Sequence, residues 1–174
     1  ADLEENDVDH LGESWASLPQ PEVMPVSLPD VGTTVGKVKD ETGKFPINSL
    51  VDEEGNISQI HQQALERLLT NPPFAMESEE ANGLVMAIKD WLDEDDEPSG
   101  GTGAEADYYE NLEKPYSCKN GPLDSLAELQ LIRGMNDSLY IGEGAEPGLK
   151  DLLTVYSDGK ININTAGPLI LKAL

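Results

Sequence analysis

Between Asp90 and Tyr109 the chain places Asp90, Asp93, Glu94, Asp95, Asp96, Glu97, Glu105 and Asp107 in one segment that contains no Lys or Arg. Like charges this close repel, so the segment stays open in solvent unless a cation closes it. Asp93, Asp95 and Glu97 occupy the first, third and fifth places of an EF-hand-like calcium loop, and Glu105 comes thirteenth, one place after that loop's bidentate glutamate. The pattern is not an EF-hand, because Pro98 stands where the sharp turn needs glycine, and Gly100, Gly101 and Gly103 come later. Two readings follow, a solvated acidic loop or a calcium site with its own geometry. The segment leaves a helical pattern and ends in Tyr108 and Tyr109, so both ends are anchored and its carboxylates can converge. The candidate ligands are Asp93, Asp95, Glu97, Glu105 and Asp107, with the Asn120 side-chain carbonyl beside them. Donors that are all oxygen favour calcium over zinc.

The remaining composition narrows the class. A chain of 174 residues with 38% apolar content suits one domain or two small ones around a real core. Eleven Lys and Arg against 34 acids, a net charge of -23, cannot neutralise phosphates, which argues against nucleic acid and anionic membranes. Such a surface suits a calcium-rich extracytoplasmic medium or a basic protein partner. Cys118 is the only cysteine, so no internal disulfide forms, and it reads as structural. No apolar run approaches the 18 or so residues that span a bilayer. The chain begins at Ala1 without Met and stops in mid-pattern at Leu174, which reads as an excised piece of a longer protein.

Pro19, Pro21, Pro25 and Pro29 make residues 1–30 an irregular connector, anchored by Trp15. Val31 to Val51 reads as a β-hairpin around Asp40-Glu41-Thr42-Gly43. Ser58 caps a helix with Ile60, Ala64, Leu65, Leu68 and Leu69 on one stripe and His61 at its rim; Pro72 and Pro73 end it. A second helix starts at Ser78, buries Leu84, Val85, Ile88, Trp91 and Leu92, and delivers the acidic loop. Ser125 and Glu128 form a capping box for a helix through Leu126, Leu129 and Ile132 that stops at Gly134. A short helix near Leu149 to Leu153 precedes a strand from Lys160 to Asn164, and Thr165 caps a last helix from Pro168 to Leu174. The order predicts an α+β fold in three parts: 1–57, a connector and hairpin; 58–158, an inserted helical subdomain with the acidic loop; and 159–174, a returning strand and the start of a further helix.

Six segments in order resemble the minor pseudopilin K family of the bacterial type II secretion system: Asp9 to Ala16, Asp40 to Leu50, Asp90-Trp91-Leu92-Asp93 with Asp95, Gly103-Ala104-Glu105 with Tyr109, Leu123 to Leu129, and Ile161 to Ala166. Pro46 stands where that family commonly has Asn, Thr102 interrupts the glycines, and Ala106 takes a place often acidic. The resemblance implies a pilin-like small antiparallel sheet with a large inserted helical, SAM-like subdomain, and bound calcium. It further implies the periplasmic domain of an inner-membrane protein of a Gram-negative bacterium, anchored by an N-terminal helix absent from this fragment. Its place would be the pseudopilus tip, with the minor pseudopilins I and J as partners, in protein export across the outer membrane. The family also continues past the Asn-Thr-Ala segment with further helices and strands.

Three alternatives compete. A glycosidase using two carboxylates from the acidic segment lacks the apolar setting that raises one pKa, and no Ser-His-Asp arrangement, P-loop or zinc spacing is present, so no enzymatic activity is expected. Asn164 to Leu169 loosely echoes a helix-hairpin-helix opening, without basic residues around it. The remaining alternative is a calcium-binding extracytoplasmic interaction module unrelated to secretion.

Overall fold

The computed structural model describes residues 8–13, 15–16 and 39–174. Its core is built on two helices, α1 (Gln59–Thr70) and α2 (Ser78–Leu92). Apolar residues recurring at three- and four-residue intervals make one buried stripe on each: Ala64, Leu65, Leu68 and Leu69 on α1, and Leu84, Val85, Ile88, Trp91 and Leu92 on α2. Glu79 and Glu80 in the first turn of α2 and Lys89 in its last complement the helix dipole. Truncating a side chain such as Leu84, 2% exposed, to Ala would cost roughly 2–5 kcal/mol in lost transfer and cavity formation. The stripe of α1 begins one turn later than expected, because Ile60 is 78% exposed. His61 sits at the rim with both ring nitrogens engaged, Nδ1 with Ser58 Oγ at 2.8 Å and Nε2 with the Gly159 carbonyl at 3.2 Å.

After the acidic loop come α3 (Ala106–Glu110), a 3-10 turn (Leu126–Leu131), α4 (Asp137–Ile141) and α5 (Leu149–Leu152). The Ser125 capping box forms, with Ser125 Oγ accepting from Ala127 N and Glu128 Oε1 accepting from Ser125 N, but the helix it opens is 3-10 rather than α. Helices α3 and α4 are additions that the apolar periodicity did not announce. The last helix, α6 (Pro168–Ala173), packs on α1, where the Arg67 guanidinium donates to the Ala173 and Leu174 carbonyls at 3.3 and 2.8 Å. Its N-cap is Gly167, not Thr165.

The sheet among the described residues differs from the expected hairpin. It has two short strands, β1 (Phe45–Pro46) and β2 (Leu153–Thr154), paired in parallel with Phe45 opposite Leu153. A parallel pair needs a long crossover, and here the helices between them supply it. Pro46 has no N–H to extend the ladder, and the chain turns into a 3-10 helix at Ile47–Leu50. Residues 31–38, the other arm of the expected hairpin, lie outside the described residues, as does most of the 1–30 connector, although Trp15 is half-buried and donates to Glu13 Oε2 at 2.7 Å. Lys160 to Asn164 forms no strand, because Asn162 Oδ1 takes the Asn164 N–H in a local turn that competes with a ladder.

That segment docks instead on the Asp40 turn. Asn162 N donates to the Thr42 carbonyl at 2.8 Å, Asn162 Nδ2 reaches Asp40 Oδ2 at 3.2 Å, and the Thr165 hydroxyl also donates to Asp40 Oδ2. A Cβ on Gly43 would lie 2.7 Å from Thr165 Oγ1 and 2.9 Å from its backbone, so only glycine permits this approach.

Candidate metal centre

The last turn of α2 puts Asp90 and Asp93 three residues apart on one face, 0% and 2% exposed. Trp91, between them, faces the core, edge-on to Tyr109 at 5.1 Å and to Tyr116 at 6.4 Å, which holds the turn in place. Residues Glu94 to Pro98 are exposed, and the chain then returns through Ser99, whose N–H donates to both Asp90 oxygens at 3.2 and 3.1 Å. Gly103 passes against Asp90 so closely that a Cβ would stand 1.9 Å from Oδ2 and 2.7 Å from Ser99 N, which excludes any side chain there. Arg133 pins the returning segment by donating to the Gly103 carbonyl at 3.0 Å, while its guanidinium lies 5.0 Å from the Tyr108 ring centre. Glu105 follows, 2% exposed, just before α3.

The result is a buried triad. One carboxylate oxygen each from Asp90, Asp93 and Glu105 lies within 4.8 Å of the others. Neither oxygen of Glu105 has a hydrogen-bond partner, and neither has Asp93 Oδ1 or Asn120 Oδ1. Asp93 Oδ2 accepts from the Lys89 ammonium, which lies 3.9 Å from Asp90 Oδ1. Burial, with the charges of Asp90 and Asp93 added, pushes the Glu105 pKa up to about 8. Burial also raises Asp93, against the opposing pull of Lys89. Asp93 opens further on an acidic groove of about 430 Å³ that Asp52, Glu53, Glu54, Glu94 and Asp95 also line.

Unpartnered carboxylate oxygens in a buried site are costly, and in native structures such orphans point to a missing water or ion. The donors here are hard oxygens. Cys118 is not a competing thiolate, because burial pushes its pKa up to about 12 and its thiol donates to the Asp90 carbonyl. The set fits calcium or another hard cation and does not fit zinc.

Of the residues expected from spacing, Asp93 and Glu105 converge. Asn120 is tied to the loop, with Nδ2 donating to the Asp95 carbonyl at 2.9 Å and to Asp96 Oδ1 at 3.0 Å, and it keeps its own carbonyl buried. Asp95 is exposed and accepts from Glu97 N at 2.8 Å; Glu97 and Asp107 are exposed and stand outside the triad. Asp90, the third carboxylate of the triad, was not among the expected residues. Its position, three residues before Asp93 on the same helix, was the available signal. Lys89 was missed too.

A sequence model of type II secretion system protein K matches residues 43–142, more than half of the chain and the whole of this site. The chain belongs to the type II secretion system protein K family. It is 32% identical to type II secretion system protein K of Pseudomonas aeruginosa over 96% of this chain and 46% of that protein. It is 37% identical to the Aeromonas hydrophila protein K over 75% of this chain and 40% of that protein. The chain thus spans less than half the length of these relatives. The crystal structure of the GspK-GspI-GspJ complex from the enterotoxigenic Escherichia coli type 2 secretion system superposes with a TM-score of 0.80 at 25% identity, covering 98% of this chain and 58% of that one. The protein K fold is therefore shared over nearly the whole chain, including the mixed helix-rich architecture and the short sheet. Among the described residues no helix is long and apolar enough to cross a membrane.

Proposed function

We propose that this chain is part of a minor pseudopilin that acts in type II secretion, at the tip of a periplasmic pseudopilus, in complex with the minor pseudopilins I and J. The observation that carries this reading is the likeness, over 98% of the chain, to a structure titled as a GspK-GspI-GspJ complex. The whole protein would be held at the inner membrane of a Gram-negative cell by an N-terminal helix and would act by assembly rather than by chemistry on a substrate. A helical insertion as large as the one between β1 and β2 obstructs a subunit stacking above it, and the tip is where such a bulk is tolerated. Co-purification of this chain with the periplasmic domains of I and J tests the assignment. Failure to join them, or crosslinks along the whole filament shaft, would overturn it.

Calcium belongs to the same proposal. Asp93 and Glu105 would hold it, with Asp90 and the Asn120 carbonyl next to them and with Asp95 available from the exposed loop. The support is the set of buried oxygens without partners. When bound, the ion would supply the positive charge that lets α2 and the segment before α3 stay packed. A calcium titration followed by calorimetry checks this, and no heat at millimolar calcium would sink it.

A further inference from the structure

Lys89 stands one helical turn before Asp93 and is tucked in, its side chain 14% exposed. Its ammonium donates to Asp93 Oδ2 and lies 3.9 Å from Asp90 Oδ1. The other basic groups near the loop are committed elsewhere: Arg133 donates to the Thr102 and Gly103 carbonyls, and Lys119 pairs with Asp124 and Glu128 at 2.7 Å each. Among the described residues Lys89 is thus the cation that touches the triad.

On an exposed helix a Lys followed by Asp four residues later is the weaker order of pair, worth a few tenths of a kcal/mol. The burial here changes its importance. Fully ionised, as a bound cation requires, three carboxylates within 4.8 Å carry three negative charges, and one ammonium leaves two. That residue of charge is what one divalent cation neutralises. Yet the same ammonium occupies Asp93 Oδ2, an oxygen such a cation would use, and repels a second positive charge a few ångströms away.

We propose that Lys89 is an internal counter-cation that competes with the metal for Asp93: it holds the empty triad together and weakens the site's affinity for calcium. The proposal rests on the calcium reading above. With Lys89 in place the site fills where calcium is plentiful and remains closed by its own lysine where calcium is scarce. A ligand-positioning lysine would act in the opposite direction, since its loss would loosen Asp93 and weaken binding.

Three variants separate charge from packing. Lys89→Arg keeps charge and donor, Lys89→Gln keeps a donor without the charge, and Lys89→Met keeps neither. Calcium affinity is measured by calorimetry on the 174-residue chain, and by competition with a chromophoric chelator for any variant that unfolds without metal. Both neutral variants are expected to bind calcium about tenfold or more tighter than the parent, because a charge repelling a dication at that range costs this much even near the dielectric of water. Lys89→Arg should stay within about threefold of the parent on the same Coulomb argument. In chelator the neutral variants should melt below the parent, and the gap should close in saturating calcium. Neutral variants that bind calcium no more tightly than a calcium-binding parent overturn the lysine proposal and leave the calcium site standing. Calcium uptake by Lys89→Gln with none by the parent supports the lysine proposal and overturns the calcium reading of the native chain. If neither binds, both fall.

Discussion

Two acidic sites in this chain treat a carboxylate in opposite ways. Burial alone would raise the pKa of Asp40, but hydrogen bonds from Thr165, Thr42 and Asn162 outweigh it and hold the carboxyl below its usual range. Thr42 supplies both its N–H at 2.9 Å and its hydroxyl at 2.7 Å. Glu105 is more buried and lacks such a set of donors; burial and the neighbouring Asp90 and Asp93 push it up to about 8, and the nearby Cys118 thiol opposes them only in part. A carboxylate whose donors come from its own chain acts as a staple, and the Asp40 turn needs nothing else to hold Asn162 and Thr165. A buried carboxylate without such donors must take up a proton or a partner from outside the chain.

The contrast can be broken most easily with calcium. At a free concentration 100 times the dissociation constant, linkage gives about 2.7 kcal/mol, which for a chain of this size is a rise of about 5–10 °C in melting temperature. Glu105→Gln should abolish the rise while leaving the metal-free protein more stable than the parent at neutral pH, since it removes a carboxyl that has to take up a proton to be buried. A parent whose melting temperature is the same in chelator and in millimolar calcium would erase the distinction between the two sites.

A smaller effect comes from pH in chelator. A carboxyl whose folded pKa is raised binds its proton more tightly in the folded state, so its contribution is fully present below the unfolded value of 4.5 and is lost as pH rises through about 8. Metal-free protein should therefore melt progressively lower between pH 5 and pH 8, and calcium should remove the trend. A flat profile in chelator, or one that rises, contradicts the buried unpartnered Glu105.

Asp40→Asn keeps one acceptor oxygen and loses the charge, and it should cost about 1 kcal/mol. The loss should be the same with and without calcium, and urea melts of the variant in both conditions check it. A calcium-dependent loss would mean that the two sites are coupled. The smallest effect is the acid limb of the same staple. Because the folded Asp40 pKa is depressed, its contribution exists above the unfolded value of 3.8 and fades as pH falls through the folded one. The stability gap between parent and Asp40→Asn should therefore narrow from pH 5 to pH 3, and a constant gap would assign the staple to shape rather than charge.

Much of the helical framework was legible because its signals are local. The stripe of α2, its acidic first turn and the Ser125–Glu128 box each depend on residues within about one helical turn of each other. The carboxylate triad was legible only in part. Loop spacing nominated Asp95, Glu97 and Asp107 equally with Asp93 and Glu105, because alternation along a loop does not say which side chains the return at Ser99 and Gly103 will bury. Asp90 looked like one more charge on a helix until Ser99 and Gly103 closed over it.

The sequence by itself determined that this chain has two amphipathic helices feeding an acidic, glycine-rich loop, that its net charge is -23, and that its segments follow the protein K order. Helix periodicity, capping and net charge need no knowledge of the fold. The tertiary structure alone decided that β1 meets β2 in parallel, that Ile161 to Thr165 docks on Asp40 in place of forming a strand, and that Glu105 comes back against Asp90 and Asp93. Each of these depends on which surfaces meet: β1 with β2 and Asp40 with Thr165 lie roughly a hundred residues apart in the chain, and short-range patterns carry no information about such contacts.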